Sequence, residues 1–216
     1  MTNERRKCPR RTLPCLAALL ALLLSLCMPA FVQAAPPLRT VLVYEGPHID
    51  YYDILINLSR ELKALGIIKK APYADAELNG NTEVLWRWLS TNAGGTRVTF
   101  LTDGFFSPDY TDEGRAAVLD SLRTRLAKRQ DVDLILAFGT WAGLEMSRLK
   151  TNVPVIVCGS TDATGAGIVP SEKDNVVAVV EPDRFLRQMQ LFHRIFGFRK
   201  LGVTYPDTPS GRSSQK

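Results

Sequence analysis

The sequence has little histidine and, beyond residue 34, little cysteine. It contains two histidines, His48 and His193, and only one of its four cysteines, Cys158, lies after the first 34 residues. One cysteine cannot form an internal disulfide, and distant histidines without Cys or acidic partners at ligand spacing do not make a metal site. Phosphate-loop and dinucleotide fingerprints are also absent. We therefore expect a fold without disulfides, metal or cofactor.

Excess positive charge is equally scarce once the first 34 residues are set aside. The chain carries a formal net charge of +5, but residues 1–34 hold five basic residues and one acidic residue, which leaves about +1. A protein that binds nucleic acid needs a concentrated basic surface. We therefore expect no nucleic acid among the partners.

Residues 1–34 have the three-part pattern of a secretory signal peptide. A basic run ends at Arg11, and "LAALLALLLSLCM" from Leu16 to Met28 is followed by a short segment that ends at Ala34. A membrane anchor is the alternative, but an apolar run of 13 residues is short against the roughly 20 that span a bilayer. We predict cleavage after Ala34, export to the periplasm and no stable membrane anchor afterwards.

The rest of the chain alternates short apolar strands with amphipathic helices. The predicted strands are 39–46, 96–104, 134–138, 153–158 and 176–180, and the predicted helices are 50–66, 82–90, 113–129, 140–149 and 182–196. Strands that are apolar on both faces and separated by helices form a parallel sheet covered on both sides. The sequence therefore predicts an α/β fold with a doubly wound, parallel, five-stranded sheet. We expect the common strand order 2-1-3-4-5.

Two of these helices show which face each would bury. Thr111 or Asp112 can cap the helix 113–129, and Pro182 would stand in the first turn of the helix 182–196. The predicted apolar stripes are Ala117, Leu119, Leu122 and Leu126 in the first of them, and Phe185, Met189, Phe192 and Phe196 in the second. We interpret both stripes as packing faces.

Three predicted loops carry glycine and polar side chains where a strand ends. They follow strands one, three and four and read Glu45-Gly46-Pro47-His48, Gly139-Thr140-Trp141 and Gly159-Ser160-Thr161-Asp162. In an open parallel sheet, ligands bind outside the carboxyl ends of the strands, beside the point where the strand order reverses. Exposed N–H groups at helix starts suit a carboxylate or another anion. The alternative is that these residues only form turns and caps.

The same loops lack the set of residues that catalysis needs. The segment "GTWAG" at 139–143 has the outline of a nucleophile elbow, but Thr140 stands at the nucleophile position. No convincing base follows, since His193 lies beside Phe192 in a predicted helix. The sequence therefore predicts a binding protein and not an enzyme, with an exported α/β hydrolase that uses Thr140 as the minor alternative.

Three segments carry a resemblance to a known family. "DLILAFGTWAGLEMSR", "VPVIVCGSTDATGAGIV" and "KLGVTYPDTPSG" resemble the ABC-transporter substrate-binding proteins linked to uptake of aromatic and other amino acids. The resemblance covers roughly residues 130–210 and includes the loop pattern D-x-x-G-A-G-[LI]-V from Asp162 to Val169. The segment 67–110, Trp141 and Cys158 depart from the family pattern.

The resemblance implies a two-lobed clamshell receptor of the type I periplasmic kind, which holds an amino acid or related carboxylate for an ABC permease. Residues 35–196 would be the first lobe with its crossover helix. Residues 197–216 would begin an otherwise missing second lobe, with 201–205 as its first strand. A periplasmic sensing or interaction domain that uses the same lobe to regulate a partner protein is the alternative.

The resemblance also implies which residues contact the ligand. They are His48 and Asp50 after strand one, Thr140 and Trp141 after strand three, Ser160, Thr161 and Asp162 after strand four, and Tyr205 from the second lobe. Hydroxyls and helix-start N–H groups would bind a ligand carboxylate, Asp162 would hold an amino group, and Trp141 would stack on an apolar moiety. A capping role for Asp162 is the alternative.

Overall fold

Strands and helices alternate along the chain, as the sequence predicts. The computed structural model describes residues 35–72, 78–181, 183–208 and 211–212, so the predicted signal peptide and Pro182 lie outside the described residues. The strands are β1 Leu38–Tyr44, β2 Val98–Phe106, β3 Leu134–Phe138, β4 Val155–Cys158 and β5 Val176–Ala178. The helices are α1 Ile49–Ala64, α2 Thr82–Asn92, α3 Asp112–Lys128, α4 Thr140–Arg148 and α5 Arg184–Phe196.

The five strands form one parallel sheet in the order β2-β1-β3-β4-β5. Val41 of β1 is opposite Ile135 of β3, and Ile135 is in turn opposite Val155 of β4. The chain winds from β1 to β2 on one side and from β3 onward on the other, so the strand order reverses between β1 and β3. The predicted doubly wound sheet and its strand order are confirmed.

Helices cover both faces of this sheet. A first hydrophobic cluster packs Val41 and Val43 of β1 against Leu122 of α3 and Met146 of α4. A second cluster on the other face packs Leu42 with α1 and α2, whose buried members include Leu55, Leu85, Trp86 and Leu89. Since neighbouring residues of β1 enter opposite clusters, the strand is buried on both faces. Double burial explains why its sequence is apolar without alternation.

Polar side chains define where three of the helices begin. The His48 imidazole accepts from the Asp50 N–H at the start of α1, and the Asn81 amide oxygen accepts from two N–H groups at the start of α2. The Thr111 hydroxyl accepts from the Gly114 N–H at 3.1 Å. Each satisfies N–H groups that a helix start leaves unpaired. Of the two predicted caps of α3, Thr111 is the one that the structure uses.

A bulge in β2 brings polar side chains into the interior. The pairing of β1 with β2 shifts register between Thr40 and Leu42, so the β2 segment 101–104 lies outside the regular ladder. Two of its carbonyl groups accept from side chains. The Trp86 indole N–H donates to the Leu101 carbonyl at 2.9 Å, and the Arg125 guanidinium donates to the Asp103 carbonyl at 2.7 Å.

Arg125 is buried, with only 5% of its surface exposed, and this corrects the predicted stripe of α3. Val118 and Leu122 are buried beside it, whereas Ala117 is exposed. The guanidinium also donates to the carboxylates of Asp103 and Asp131, at 2.8 and 2.9 Å. An arginine enters the interior here because the bulge and two carboxylates supply acceptors for its N–H groups.

This arginine lowers the pKa of both carboxyl groups. Burial would raise the pKa of Asp103, but hydrogen bonds from Arg125 and Arg129 outweigh it and hold that pKa below its ordinary value. The pKa of Asp131 is also lowered against burial, chiefly by Arg125. A carboxyl group with a lowered pKa in the folded protein stabilises the fold above the pKa of the unfolded chain.

The chain after α5 differs from the prediction. Residues 201–205 were expected to form a strand, but in the described chain they pair with no other strand, and Leu201, Val203 and Tyr205 are exposed. A β-strand needs a neighbour to accept its backbone hydrogen bonds, and none of the described strands lies beside this segment. Its place as the first strand of a second lobe stays a prediction. No helix among the described residues is both long enough and apolar enough to cross a membrane.

Arg125→Met should lower the free energy of unfolding by about 2 kcal/mol at neutral pH, because Asp131 and the Asp103 carbonyl lose a buried donor, although Arg129 still pairs with both carboxylates. Urea denaturation measures the change, with Arg123→Met on the exposed face of α3 as the control. The difference between wild type and Arg125→Met should shrink as the pH falls below about 4, when Asp103 and Asp131 take up protons. Equal stability of the two arginine variants at pH 7 would contradict a structural role for this network.

Candidate functional site

The carboxyl ends of β1, β3 and β4 meet where the strand order reverses. The Glu45 N–H donates to the Phe138 carbonyl at 3.2 Å, and the Gly139 N–H donates to the Cys158 carbonyl at 3.0 Å. The loops after the three strands therefore lie side by side, as predicted. This edge of a doubly wound sheet is the usual position of a ligand site.

Thr140 connects two of these loops. Its side chain is 1% exposed, its hydroxyl lies 3.3 Å from the Ser160 hydroxyl, and it accepts from the Thr161 N–H at 3.2 Å. Three of the predicted site residues are thus brought together at the start of α4. The hydrogen-bond partners of the Thr140 hydroxyl among the described residues include no imidazole or carboxylate, so nothing there would activate it as a nucleophile.

Asp162 closes the turn that follows β4. Its carboxylate accepts from the Gly165 N–H at 2.8 Å, and its carbonyl accepts from the Ala166 N–H at 2.9 Å. The turn is anchored below by Ala163 and Ile168, which are buried in the first cluster. The capping role foreseen as an alternative is therefore present, while a ligand contact of the same carboxylate stays a prediction.

His48 and Asp50 lie at the start of α1, on the outer side of the edge. His48 Nδ1 accepts from the Asp50 N–H at 3.3 Å and lies 3.7 Å from the Asp50 carboxylate, and both side chains are at least half exposed. The two residues form a cap, and His48 also faces a cleft. Tyr205, the last predicted site residue, is 45% exposed in the segment that forms no strand.

Trp141 is placed inside the molecule. It is 5% exposed and belongs to the first cluster, and the Arg115 guanidinium lies 5.4 Å from the centre of its ring. The ring is therefore already covered by protein and by a cation, which leaves little surface to stack on a ligand. Its stacking role stays a prediction, and its packing role is what the structure shows.

The structure adds Glu45, which the sequence analysis did not select as a site residue. Glu45 is 9% exposed directly after β1, at the reversal point. Its carboxylate accepts from the Arg115 guanidinium and from the backbone N–H of Trp141, both at 3.4 Å. Both contacts are long for hydrogen bonds to a charged group, which are usually about 2.7–2.9 Å. This buried carboxylate is thus weakly satisfied by the protein itself.

Arg115 is incompletely paired as well. One Nη group approaches Glu45, the other approaches the Asp112 carboxylate at 3.2 Å, and Nε is buried without a hydrogen-bond partner among the described residues. A buried donor without an acceptor is costly, so such groups in native proteins need an explanation. A ligand atom that completes the pair is one physical explanation.

Aromatic side chains surround this carboxylate. Burial and the charge of Glu45 raise the pKa values of Tyr51 and Tyr110, so both hydroxyls stay protonated. The Tyr110 hydroxyl donates to the Pro47 carbonyl at 3.0 Å, and the Tyr51 ring packs against Phe138 at a centroid distance of 6.2 Å. A negative charge among aromatic rings is an environment that suits a cationic group such as an ammonium.

A polar cleft of about 570 Å³ opens beside the same edge. Its lining comes from the ends of β1 and β2 and from the start of α2: Tyr44, Pro47, His48, Asn79, Gly80, Asn81, Thr82, Glu83, Phe105, Ser107 and Asp109. Burial, followed by the charge of Asp109, raises the pKa of Tyr44 to about 12, so this hydroxyl stays protonated at neutral pH. The volume lies within the range of small-molecule sites.

The described part of the chain gives little support to a metal site or to a cysteine nucleophile. No three side chains of His, Cys, Asp or Glu gather there closely enough to hold a metal ion. Cys158 is a free, half-buried thiol, and burial raises its pKa to about 11. A thiol with a raised pKa is a poor nucleophile at neutral pH.

Fold and edge together define a doubly wound α/β lobe with a candidate ligand site at its reversal point. The sequence matches no protein-family profile and no curated protein. Among solved structures, a conserved domain protein from Vibrio cholerae is similar at 12% identity and a TM-score of 0.47, over 75% of this chain and 45% of its own.

Two further solved structures are similar at the level of the fold. One is an ABC domain in complex with L-Trp from Streptococcus pneumoniae, at 15% identity and a TM-score of 0.40, over 67% of this chain and 38% of its own. The other is a substrate-binding protein with adhesive properties from Clostridium difficile, at 16% identity and a TM-score of 0.40, over 72% and 43%. The chain spans less than half the length of each of the three structures.

Gly139→Ala should lower the free energy of unfolding by about 2–4 kcal/mol. Residue 139 has φ 98° and ψ 166°, which glycine alone adopts readily, and a β-carbon there would lie 2.3 Å from the Tyr51 hydroxyl and 2.9 Å from a Glu45 carboxylate oxygen. Thermal or urea unfolding measures the effect. Gly202→Ala is the control, since a β-carbon at that position meets nothing within 4 Å. Similar stability of both variants would show that the edge is loosely packed.

Proposed function

We propose that this chain is the first lobe of an exported solute-binding protein that captures a small zwitterion, an amino acid or related compound, for an ABC importer. The observation that carries the proposal is the weakly satisfied Glu45 carboxylate at the reversal point of the sheet. It is buried, it keeps its two protein contacts at 3.4 Å, and a partly unpaired Arg115 lies beside it. A buried carboxylate with contacts of this length can accept shorter hydrogen bonds from a ligand.

A ligand that carries both an ammonium and a carboxylate group matches the charged and polar groups on this edge. The ammonium group would contact Glu45, because that carboxylate lies among aromatic rings and needs closer donors. The ligand carboxylate would contact the hydroxyl of Ser160 and the start of α4 on the other side of Gly139, or the free Nε of Arg115. Asp162 is the alternative ammonium partner, although its carboxylate already accepts from the Gly165 N–H.

The export part of the proposal is supported by the leader pattern of residues 1–34. In this proposal the exported form is periplasmic and delivers its ligand to a permease in the membrane. A sensing domain that regulates a partner protein is the second candidate, favoured by the exposed apolar surface of α5.

The exported protein should begin at Ala35. N-terminal sequencing of the protein from a periplasmic fraction checks this, and Ala34→Lys should block processing because the cleavage site requires a small residue. Pro37→Lys, beyond the cleavage site, is the control. Thr40→Lys would not serve, because Thr40 is buried. Recovery of a chain that begins at Met1 from wild-type cells would contradict the export proposal.

Glu45→Gln should weaken binding of amino acids by about 1–3 kcal/mol, because the ammonium group loses its charged acceptor. The ligands are the free L-amino acids, their desamino acids and their decarboxylated amines, titrated by NMR chemical shifts. We expect dissociation constants near about 1 mM, since one lobe covers one side of a ligand. The variant should lose affinity for amino acids and amines and keep its affinity for the desamino acids.

Glu61→Gln on the exposed face of α1 is the matched control and should leave every titration unchanged. Equal affinities of wild type and Glu45→Gln for amino acids would show that Glu45 is not the ammonium site. Stronger loss with Asp162→Asn than with Glu45→Gln would transfer the role to Asp162. The absence of binding for the whole panel at millimolar concentration would contradict capture of amino acids by this lobe.

A further inference from the structure

The polar cleft beside the reversal point begins where β1 ends. Tyr44, the last residue of β1, lines the cleft and directly precedes Glu45, and Pro47 and His48 of the following loop also line it. The Tyr110 hydroxyl donates to the Pro47 carbonyl at 3.0 Å, and the Tyr110 backbone N–H donates to the Glu45 carbonyl at 3.2 Å. The cleft and the Glu45 carboxylate are therefore served by the same short loop between β1 and α1.

Aromatic rings lead from Glu45 to the cleft. A β-carbon built at Gly139 would lie 2.9 Å from a Glu45 carboxylate oxygen and 2.3 Å from the Tyr51 hydroxyl, so these two groups lie close together. The Tyr51 ring is in turn 5.7 Å from the Tyr44 ring and 5.3 Å from the His48 ring, and both of these rings line the cleft. One small ligand can therefore contact Glu45 with one end and the cleft with the other.

The acidic residues that line the cleft have no cationic counterpart there. They are Glu83 at the start of α2 and Asp109 after β2, and none of the described residues in the lining is lysine or arginine. Asp109 accepts from the Ser107 hydroxyl at 2.6 Å, which is a neutral partner. Glu83 pairs with Arg87 at 2.9 Å, but both side chains of that pair are more than half exposed, so the pair is weak. The cleft therefore keeps most of its negative charge.

Both carboxylates act on Tyr44, which is itself buried. The pKa of Tyr44 is raised first by burial and then by the charge of Asp109, with a smaller contribution from Glu83. The rings of Tyr44 and Phe105 lie 5.1 Å apart, and both line the cleft. Aromatic rings attract cations as carboxylates do. A positively charged group in this cleft would therefore meet carboxylates and aromatic rings together.

We propose that the cleft binds the positively charged side chain of the captured amino acid, so that the substrate is a basic amino acid with an amine or a guanidinium at the end of its side chain. This specificity rests on the proposed function, because the α-ammonium group of the same ligand contacts Glu45. A side chain such as that of lysine has a flexible four-carbon stem, which packs against Tyr44 and Phe105. Its terminal cation contacts Asp109 and Glu83.

Charge also decides between a basic side chain and a neutral aromatic one. An aromatic ring in the cleft would remove water from Asp109 and Glu83 without supplying a donor, and a carboxylate that loses water without gaining a partner is costly. A site for a neutral ring is lined mainly by apolar residues, whereas most of this lining is polar. A terminal amine or guanidinium supplies both the donors and the charge that the cleft needs.

Titrations of the protein with matched ligands, followed by NMR chemical shifts, test the proposal. L-Lysine is compared with L-norleucine, which has the same carbon chain without the terminal amine, and L-arginine is compared with L-citrulline, which lacks the charge. L-Phenylalanine represents the neutral aromatic ligands. We expect lysine and arginine to bind at least about tenfold more tightly than their neutral counterparts. The preference should decrease with added salt.

Variants of the cleft separate its contribution from that of Glu45. Asp109→Asn with Glu83→Gln should lower the affinity for lysine to that for norleucine and leave the affinity for norleucine unchanged. The backbone at residue 109 has φ 49°, which asparagine tolerates. The matched control is Asp120→Asn with Glu61→Gln, which removes the same charge at two exposed positions and should keep the preference. Glu45→Gln should weaken lysine and norleucine alike.

Three outcomes would overturn the proposal while the proposed function stands, because amino acids still bind in each. One is equal affinity for lysine and norleucine, and another is a preference for lysine that persists in the variant with both cleft substitutions. The third is tighter binding of phenylalanine than of lysine, which would assign the cleft to a neutral ring. If no amino acid binds at millimolar concentration, the proposed function is wrong and the specificity of the cleft for basic amino acids is wrong with it.

Discussion

Burial of β1 on both faces is the constraint on which the rest of this lobe depends. Val41 and Val43 enter one hydrophobic cluster and Leu42 enters the other, and the strand pairs with β2 on one side and β3 on the other. The chain then winds in opposite directions from this centre, and the end of β1 becomes the reversal point. Glu45, the next residue, is buried because of where β1 lies.

Two arginines on α3 show how the same chemistry serves stability at one place and a candidate site at another. Arg125 donates to two carboxylates and to a bulge carbonyl at 2.7–2.9 Å, so its buried charge is fully satisfied. Arg115, ten residues earlier on the helix, keeps a 3.4 Å contact with Glu45 and a buried Nε without an acceptor. Full satisfaction stabilises a fold, whereas partial satisfaction leaves free energy that a ligand can use.

Much of the fold could be predicted from the sequence because its signals are local. The apolar run of β3 and the polar cap Thr111 each act within a few residues, and the structure confirms them. The meeting of Thr140, Ser160 and Thr161 followed from the strand order. The burial of Arg125 could not be predicted, since it depends on a bulge in β2 that no local sequence pattern indicates. Residues 201–205 form no strand among the described residues, because a strand also needs a neighbour, and their place at the start of a second lobe stays a prediction.

Glu45 was visible in the sequence as the lone acid after the first strand, but the meaning of its position required the structure. A charged residue directly after a fully buried strand is forced to the interior edge of the sheet, and its partners come from distant segments: Arg115 from α3 and the Trp141 N–H from α4. Helix α5 also shows that a local pattern does not determine the neighbours of a residue. Its sequence reads as a packing helix, yet packing requires an opposing surface, and the described residues provide none. In both cases the residue types indicate the chemistry, and only the presence or absence of neighbours in space decides whether that chemistry stabilises the fold or remains available to a partner.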